Sequence, residues 1–286
     1  MDEPVRRYLA DLVAAAKDVL GENLVGAYAA GSVGLAAYQP GRSDIDVALV
    51  CEHALPAAQK HELVAGLRHE ALPCPARGLE LVVYRRSVAL SGSPDPGFEV
   101  ELNTGARMDF RETYAPEDRP ESDGRFWYAL DRSILHQSGQ ALLGPPAADM
   151  FTDVTPADLR QTLIRAPEWW LGASGASGAS GAGEGGAGEG GADEPAPGAE
   201  DAVLGACRSL VKFRDDVWLS KIDAGRRLIA TGYPPDLIER CIAARRGGAG
   251  SDGAGSDGAA WGEVAPSGQE ARAFQRRVLA EIRGPV

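Results

Sequence analysis

Three acidic residues and a Gly-Ser pair stand at spacings that could do chemistry: Gly31-Ser32, then eleven residues, then Asp44-Ile45-Asp46, and later Glu80. Residues 45–50 are apolar and β-branched enough to read as a strand. Side chains alternate along a strand, so Asp44 and Asp46 point the same way while Ile45 faces the core. Two carboxylates on one face repel unless a cation lies between them. Magnesium takes hard oxygen ligands, usually one or two carboxylates plus substrate phosphates. Glu80 sits between Leu79 and Leu81 in an apolar run. A carboxylate there costs several kcal/mol unless it is paired, metal-bound or at a wet edge. If the two strands are neighbours, the three carboxylates converge as a two-metal displacement at phosphorus requires. Gly31-Ser32 ends the apolar run 24–29, where a glycine admits a phosphate to the backbone and a hydroxyl can hold its oxygens.

The elements that must position these residues follow from periodicity. Residues 3–20 carry Val5, Leu9, Leu12, Val13, Ala16 and Leu20 at helical spacing. Strands are expected at 24–29, 45–50 and 79–84, with helices at 55–71 and 125–138. Residues 98–102 alternate Phe98, Val100 and Leu102 with Glu99 and Glu101, the pattern of a half-exposed strand. Past the prolines at 145, 146 and 156 every periodic segment is helical: 156–170, 201–219, 221–231, 235–246 and 269–283. The expectation is an α+β fold with an N-terminal domain over 1–150 and a helical domain over 151–286. The helical part is interrupted by flexible Gly-rich insertions at 172–199 and 247–268.

Composition narrows the function. The 286 residues carry 29 basic and 41 acidic side chains, a formal charge of −12. That argues against a stable nucleic-acid partner, which a basic face would serve. The four cysteines, Cys51, Cys74, Cys207 and Cys241, lack the close spacing of a zinc or redox site and read as reduced core residues. The N-terminus reads as an amphipathic helix and not as a signal peptide, and no apolar run reaches the ~20 residues of a membrane span. A cytoplasmic monomer with no membrane partner is expected. His136 reads as a packed, hydrogen-bonding residue and Trp218 as core.

Taken together, the pattern resembles the nucleotidyltransferase superfamily that includes DNA polymerase β. Within it the chain is similar to the aminoglycoside (3″)(9) adenylyltransferases, which modify streptomycin and spectinomycin. The matching stretches are GAYAAGS (26–32), SDIDVALV (43–50), LELVV (79–83), ILHQSGQALLGP (134–145) and ACRSLVKFRDDVWLSKIDA (206–224). The resemblance implies a polymerase β-like nucleotidyltransferase domain followed by a helical bundle, with ATP as co-substrate and Mg²⁺, two ions, in the cleft between them. It implies that Asp44, Asp46 and Glu80 ligate metal and that Glu80 is the general base on the acceptor hydroxyl. Gly31, Ser32, Ser43, Arg208 and Lys221 fall where the family meets the triphosphate. On one continuous helix Arg208 and Lys221 would lie roughly 140° apart. The sequence Ser220-Lys221-Ile222-Asp223 has capping-box form, however, so a new helix is expected to start at Lys221.

The acceptor side departs from the family. Its platform tryptophan aligns with Asn103, and its late tyrosine with Ala244. Trp169 and Trp170 lie near its second tryptophan, with Glu168, Glu200 and Asp201 the carboxylates nearest its acidic drug contacts. The expected partners are therefore ATP and a small cationic acceptor, an aminoglycoside by resemblance. The alternatives are a protein or RNA acceptor, and a nucleotide-binding regulatory protein without turnover. Net charge speaks against RNA, and the presence of all three carboxylates speaks against the regulatory reading.

Overall fold

Asp2 and Pro4 fix the first turn of the opening helix, α1 (Glu3–Leu20): Asp2 Oδ1 accepts the Val5 N–H at 3.3 Å, and Gly21, at φ +56°, ends it. Its apolar face, Val5, Leu9, Leu12, Ala16 and Leu20, is buried. The computed structural model describes residues 1–173, 196, 198–247 and 266–284. They fall into two units, Met1–Leu159 and Arg160–Val286.

In the first unit α1 is followed by β1 (Leu24–Ala29), a short α2 (Gly31–Gly34), β2 (Ile45–Cys51), α3 (Ala57–Leu67), β3 (Leu79–Arg85) and the short α4 (Arg86–Ala89). Then come β4 (Phe98–Gly105), β5 (Met108–Thr113), α5 (Trp127–Ser138), β6 (Gln140–Leu143) and α6 (Ala147–Met150). The strands form one six-stranded sheet in the order β5-β4-β3-β2-β1-β6. β2 and β3 are parallel, as a strand–helix–strand crossover through α3 requires, and the other pairs are antiparallel. One sheet face, with Ile45, Val47, Leu49, Leu79, Leu81, Val83, Val100 and Leu102, packs on α1 and α3. The opposite face, with Tyr28, Ala48, Val50, Tyr84 and Phe98, packs on Tyr128 and Leu135 of α5 and on Phe151.

The half-exposed strand expected at 98–102 is instead buried throughout. β5 pairs along its far side and makes β4 an internal strand. A bulge opposite Val83 and Tyr84 also puts Phe98 on the face away from Val100 and Leu102. The two glutamates that suggested a wet face are neutralised inside the fold. Glu99 accepts the Leu55 N–H at 3.3 Å and pairs with Lys60 at 3.1 Å and Arg85 at 2.8 Å. Glu101 pairs with Arg111 at 3.0 Å and with Arg119, and takes the Thr113 hydroxyl at 3.2 Å.

Arg132 of α5 is 1% exposed and pins the 91–97 loop, donating to the carbonyls of Pro96 at 2.9 Å, Ser93 at 2.6 Å and Asp95 at 2.6 Å. Its guanidinium also lies 5.3 Å from the Tyr84 ring centroid. Arg132→Met keeps the bulk but removes every donor, and bonds to a charged group are worth about 1.5–3 kcal/mol each before water recovers part of the loss. The expected cost is about 2–4 kcal/mol in urea unfolding of the full chain; a change below about 1 kcal/mol would contradict this role.

The second unit is helical. α7 (Pro156–Ala173), whose first turn belongs to the first unit, is followed by α8 (Ala199–Asp215), α9 (Lys221–Ala230), α10 (Pro235–Gly247) and α11 (Gly268–Arg283). α8 packs against α9, α10 and α11 through Val203, Leu204, Cys207, Leu210 and Val211. It ends where Asp216 turns left-handed at φ +54°. As the S-x-x-D spacing predicts, Ser220 caps α9 by accepting the Asp223 N–H at 3.1 Å. Ser267 and Glu270 close a reciprocal capping box on α11. The expected Gly-rich insertions, 172–199 and 247–268, lie for the most part outside the described residues. All four cysteines are buried thiols. Among the described residues no helix is long and apolar enough to cross a membrane.

Candidate active site

In the first unit the site is built by strand register. Asp46 of β2 pairs with Glu80 of β3, Glu80 with Asn103 of β4, and Asn103 with Arg111 of β5. Neighbouring strands lie about 4.8 Å apart, so these four side chains form one row across the sheet. Ile45, Leu79, Leu81 and Leu102, one residue off in each strand, are packed in the core beneath α1 and α3. The row therefore faces the other way. Asp46 and Glu80 are half-buried and Asn103 is buried. With its amide oxygen turned toward Arg111, Asn103 accepts from Nη2 at 3.1 Å.

Asp44 stands just before β2, at the strand entrance. The loop that delivers it is closed by Ser43, which is buried; its hydroxyl accepts the Gln39 N–H at 3.1 Å and its own N–H donates to Gln39 O at 2.9 Å. The backbone then locks onto β3, with Ile45 N–H donating to Gly78 O at 2.9 Å and Arg77 N–H to Ser43 O at 3.3 Å. Tyr38 lies within the field of Asp44. Burial pushes its phenol up to about 12, with the charges of Asp2, Cys74 and Asp44 adding and Arg107 opposing. It is a proton donor at any physiological pH.

The Gly31-Ser32 turn closes over the row from β1. Ala30 N–H donates to Asp46 O at 2.9 Å, strapping the end of β1 to the start of β2. Gly31 has φ +50°, and a Cβ built there would fall 1.8 Å from Asp46 Oδ2. No residue with a side chain fits that space. The Ser32 hydroxyl is buried and has no hydrogen-bond partner among the described residues, a state that a polar atom adopts at a cost. It lies one residue from the glycine that touches the Asp46 carboxylate, where an added phosphate oxygen would satisfy it.

Asp46 and Glu80 offer carboxylate oxygens, the chemistry that a hard divalent cation takes. Among the described residues no group of three or more His, Cys, Asp or Glu side chains is gathered to hold an ion by itself. The register brings Asp46 and Glu80 together, and Asp44 precedes Asp46 by two residues along the chain. This arrangement fits a magnesium ion that completes its shell from substrate phosphates and water, as such ions usually do. His136 is occupied elsewhere: its Nδ1 donates to Phe151 O at 2.6 Å.

Within the second unit, Arg208 and Lys212 of α8 both lie over the Trp218 ring, at 5.8 Å and 5.7 Å from its centroid. Lys221, the first residue of α9, places Nζ 3.4 Å from Asp201 Oδ1, and Arg245 of α10 bonds the same oxygen. Asp201 is thus buried between two cations. Glu168 is paired with Arg283, and Trp169 and Trp170 meet edge to face at 5.2 Å. Sequence reasoning did not reach Arg111, Lys212 or Arg245. Arg111 sits on an edge strand with little apolar signal, and the partner of Arg245 lies 44 residues away.

No protein-family model and no curated protein matches the chain. Among solved structures it is similar to spectinomycin adenyltransferase AAD(9) from Enterococcus faecialis, determined with ATP and spectinomycin, with a TM-score of 0.63 and 14% sequence identity. The match covers 98% of this chain and 100% of that one, so the likeness in fold extends over both units.

Proposed function

We propose that the protein is an ATP-dependent nucleotidyltransferase that adenylylates a hydroxyl of a small cationic acceptor of the aminoglycoside class, streptomycin or spectinomycin. The observation that carries this reading is the pairing of Asp46 with Glu80 on one sheet face, with Gly31 pressed against the Asp46 carboxylate. A full-length likeness in fold to an enzyme solved with ATP and spectinomycin supports it.

In this reading the Gly31-Ser32 turn takes phosphate oxygens on its backbone N–H groups and on the buried Ser32 hydroxyl. Arg208 and Lys221 of the second unit are read, by the resemblance, as cations for phosphate. Asp44, Asp46 and Glu80 would hold magnesium, whose contribution is to neutralise charge on the phosphates. Glu80 accepts the proton of the acceptor hydroxyl as that oxygen bonds to the α-phosphorus. The bond from the α-phosphorus to the bridging oxygen breaks, and pyrophosphate leaves. Catalysis is then mainly positioning plus charge stabilisation, with Glu80 as the single proton acceptor. The test is pyrophosphate release from ATP and magnesium with and without streptomycin, spectinomycin and other aminoglycosides. Release that depends on one of these drugs is expected, and release indifferent to all of them would contradict the acceptor assignment.

Asn103 and Arg111 define how well such an acceptor is held. Beside Glu80 the row presents an amide backed by a guanidinium, not an aromatic face. An aromatic face over a cation is worth on the order of 1–2 kcal/mol, roughly tenfold in affinity. Streptomycin and spectinomycin are therefore expected to bind weakly, and Asn103→Trp to tighten binding about tenfold. Calorimetric titration of each drug in the presence of a non-hydrolysable ATP analogue checks this. Micromolar binding by the unsubstituted protein would contradict it.

A further inference from the structure

Arg111 of β5 touches two residues of β4 at once. Asn103 lies directly opposite it in the register, and Glu101, on the same face two residues earlier, lies opposite Thr113. Arg111 Nη2 donates to Glu101 Oε1 at 3.0 Å and to the Asn103 amide oxygen at 3.1 Å. Glu101 is itself held. The Thr113 hydroxyl donates to its Oε2 at 3.2 Å, and Arg119, which also bonds the Tyr128 hydroxyl on α5, donates to Oε1. The Glu101 and Arg119 side chains are only 6% and 5% exposed, so the clamp on Arg111 is anchored in the packed interior. A guanidinium has donors and no acceptor, so it can bond the oxygen end of the Asn103 carboxamide and not the nitrogen end. That choice fixes the other end of the amide. Nδ2 carries two hydrogens, and Leu102 O accepts one of them at 3.3 Å. Glu80 stands beside Asn103, one strand away in the register.

We propose that Arg111 and Glu101 are positioning residues for the acceptor. They hold Asn103 as a hydrogen-bond donor beside Glu80, and the acceptor presents to it a hydroxyl or ether oxygen next to the hydroxyl that reacts. The inference rests on the reading of Glu80 as the base at that hydroxyl. An ammonium in this position would meet a donor backed by a guanidinium, whereas an oxygen completes the bond. The charged groups of a cationic acceptor therefore lie away from Asn103. The feature recognised is a pair of neighbouring oxygens, one giving its proton to Glu80 and the other bonded by the Asn103 amide.

The test follows the Asn103 side-chain amide by NMR in the isotope-labelled full-length protein. Magnesium and a non-hydrolysable ATP analogue are present, and spectinomycin or streptomycin is titrated in. In the wild type one amide hydrogen of Asn103 is expected to shift as drug is added. Arg111→Met is expected to move both amide resonances before any drug is present. It should also weaken the drug about tenfold, the worth of one positioned hydrogen bond, and the ATP analogue far less. Arg111→Lys keeps a charged donor against Glu101 and is expected to recover most of the lost drug affinity, which a general loss of folding would not allow. Asn103→Asp removes the donor at constant size and identifies the amide resonances by their disappearance. It is expected to weaken the drug about tenfold although it adds a negative charge beside a cation. Tighter drug binding in Asn103→Asp would place an ammonium there and overturn the oxygen assignment, as would drug binding that leaves the Asn103 amide unmoved. Wild-type drug affinity in Arg111→Met, or an equal loss for the ATP analogue, overturns the positioning role. If neither drug binds the wild type, the oxygen assignment falls with the proposed function. The clamp is then decided by the amide resonances of Arg111→Met alone, and unchanged resonances overturn it.

Discussion

Glu80→Gln is expected to lower adenylyl transfer by about a hundredfold to ten-thousandfold, the usual worth of a positioned general base, while ATP binding stays within a few-fold of wild type. The amide matches the carboxylate in size and keeps its place in the register between Asp46 and Asn103. It cannot accept the acceptor proton, and it is a poor ligand for a hard cation. Single-turnover transfer and ATP titration on the same preparation separate the two effects. Turnover near wild type would remove Glu80 from the mechanism, and a matching loss of ATP binding would make it a nucleotide ligand and not a base.

Gly31→Ala should be nearly as damaging, although it adds one methyl group. At φ +50° a side chain costs roughly 1–2 kcal/mol in backbone strain alone. The larger effect is local, because the new Cβ occupies the position of the Asp46 carboxylate, 1.8 Å from Oδ2. Either Asp46 swings out of the row or the Ala30–Asp46 strap between β1 and β2 breaks. Transfer is expected to fall at least about a hundredfold, since a displacement of about 1 Å at a reacting group costs that much. Tm should fall by only a few degrees. The loss should also overlap with that of Asp46→Asn, because neighbouring residues acting through one carboxylate are not additive. Wild-type transfer in Gly31→Ala, or full additivity with Asp46→Asn, would contradict the close approach.

The parts of this site that were legible in the sequence are those whose signals are local. The helical spacing over 3–20 marks α1, Ser220 starts α9, and the apolar runs 24–29, 45–50 and 79–84 mark β1, β2 and β3, with Asp46 and Glu80 embedded in them. The α+β division into a sheet domain and helices follows from the same periodicities. What escaped depends on partners distant in sequence. β5 and β6 are edge strands, and in β5 the single buried residue is Thr113, so neither shows the alternation of a strand with one face in the core. Without β5, β4 looks half-exposed and Glu101 looks solvated, whereas Arg111 and Arg119 neutralise it inside the fold. Asn103 could be aligned with an acceptor position, but its place beside Glu80 needs the pairing of β3 with β4. Asp201 read as a candidate acceptor contact, because nothing nearby in sequence announces its pairing with Lys221 and Arg245.

The central claim, transfer of the adenylyl group to an acceptor hydroxyl, is tested most directly by following the phosphorus atoms. The full-length protein is incubated with magnesium, streptomycin or spectinomycin, and ATP labelled at either the α- or the γ-phosphorus. The account predicts that the α-label moves to the drug, one pyrophosphate being released per transfer and carrying the γ-label away. A γ-label on the drug would mean phosphoryl transfer, and no label on either drug would contradict the proposed activity.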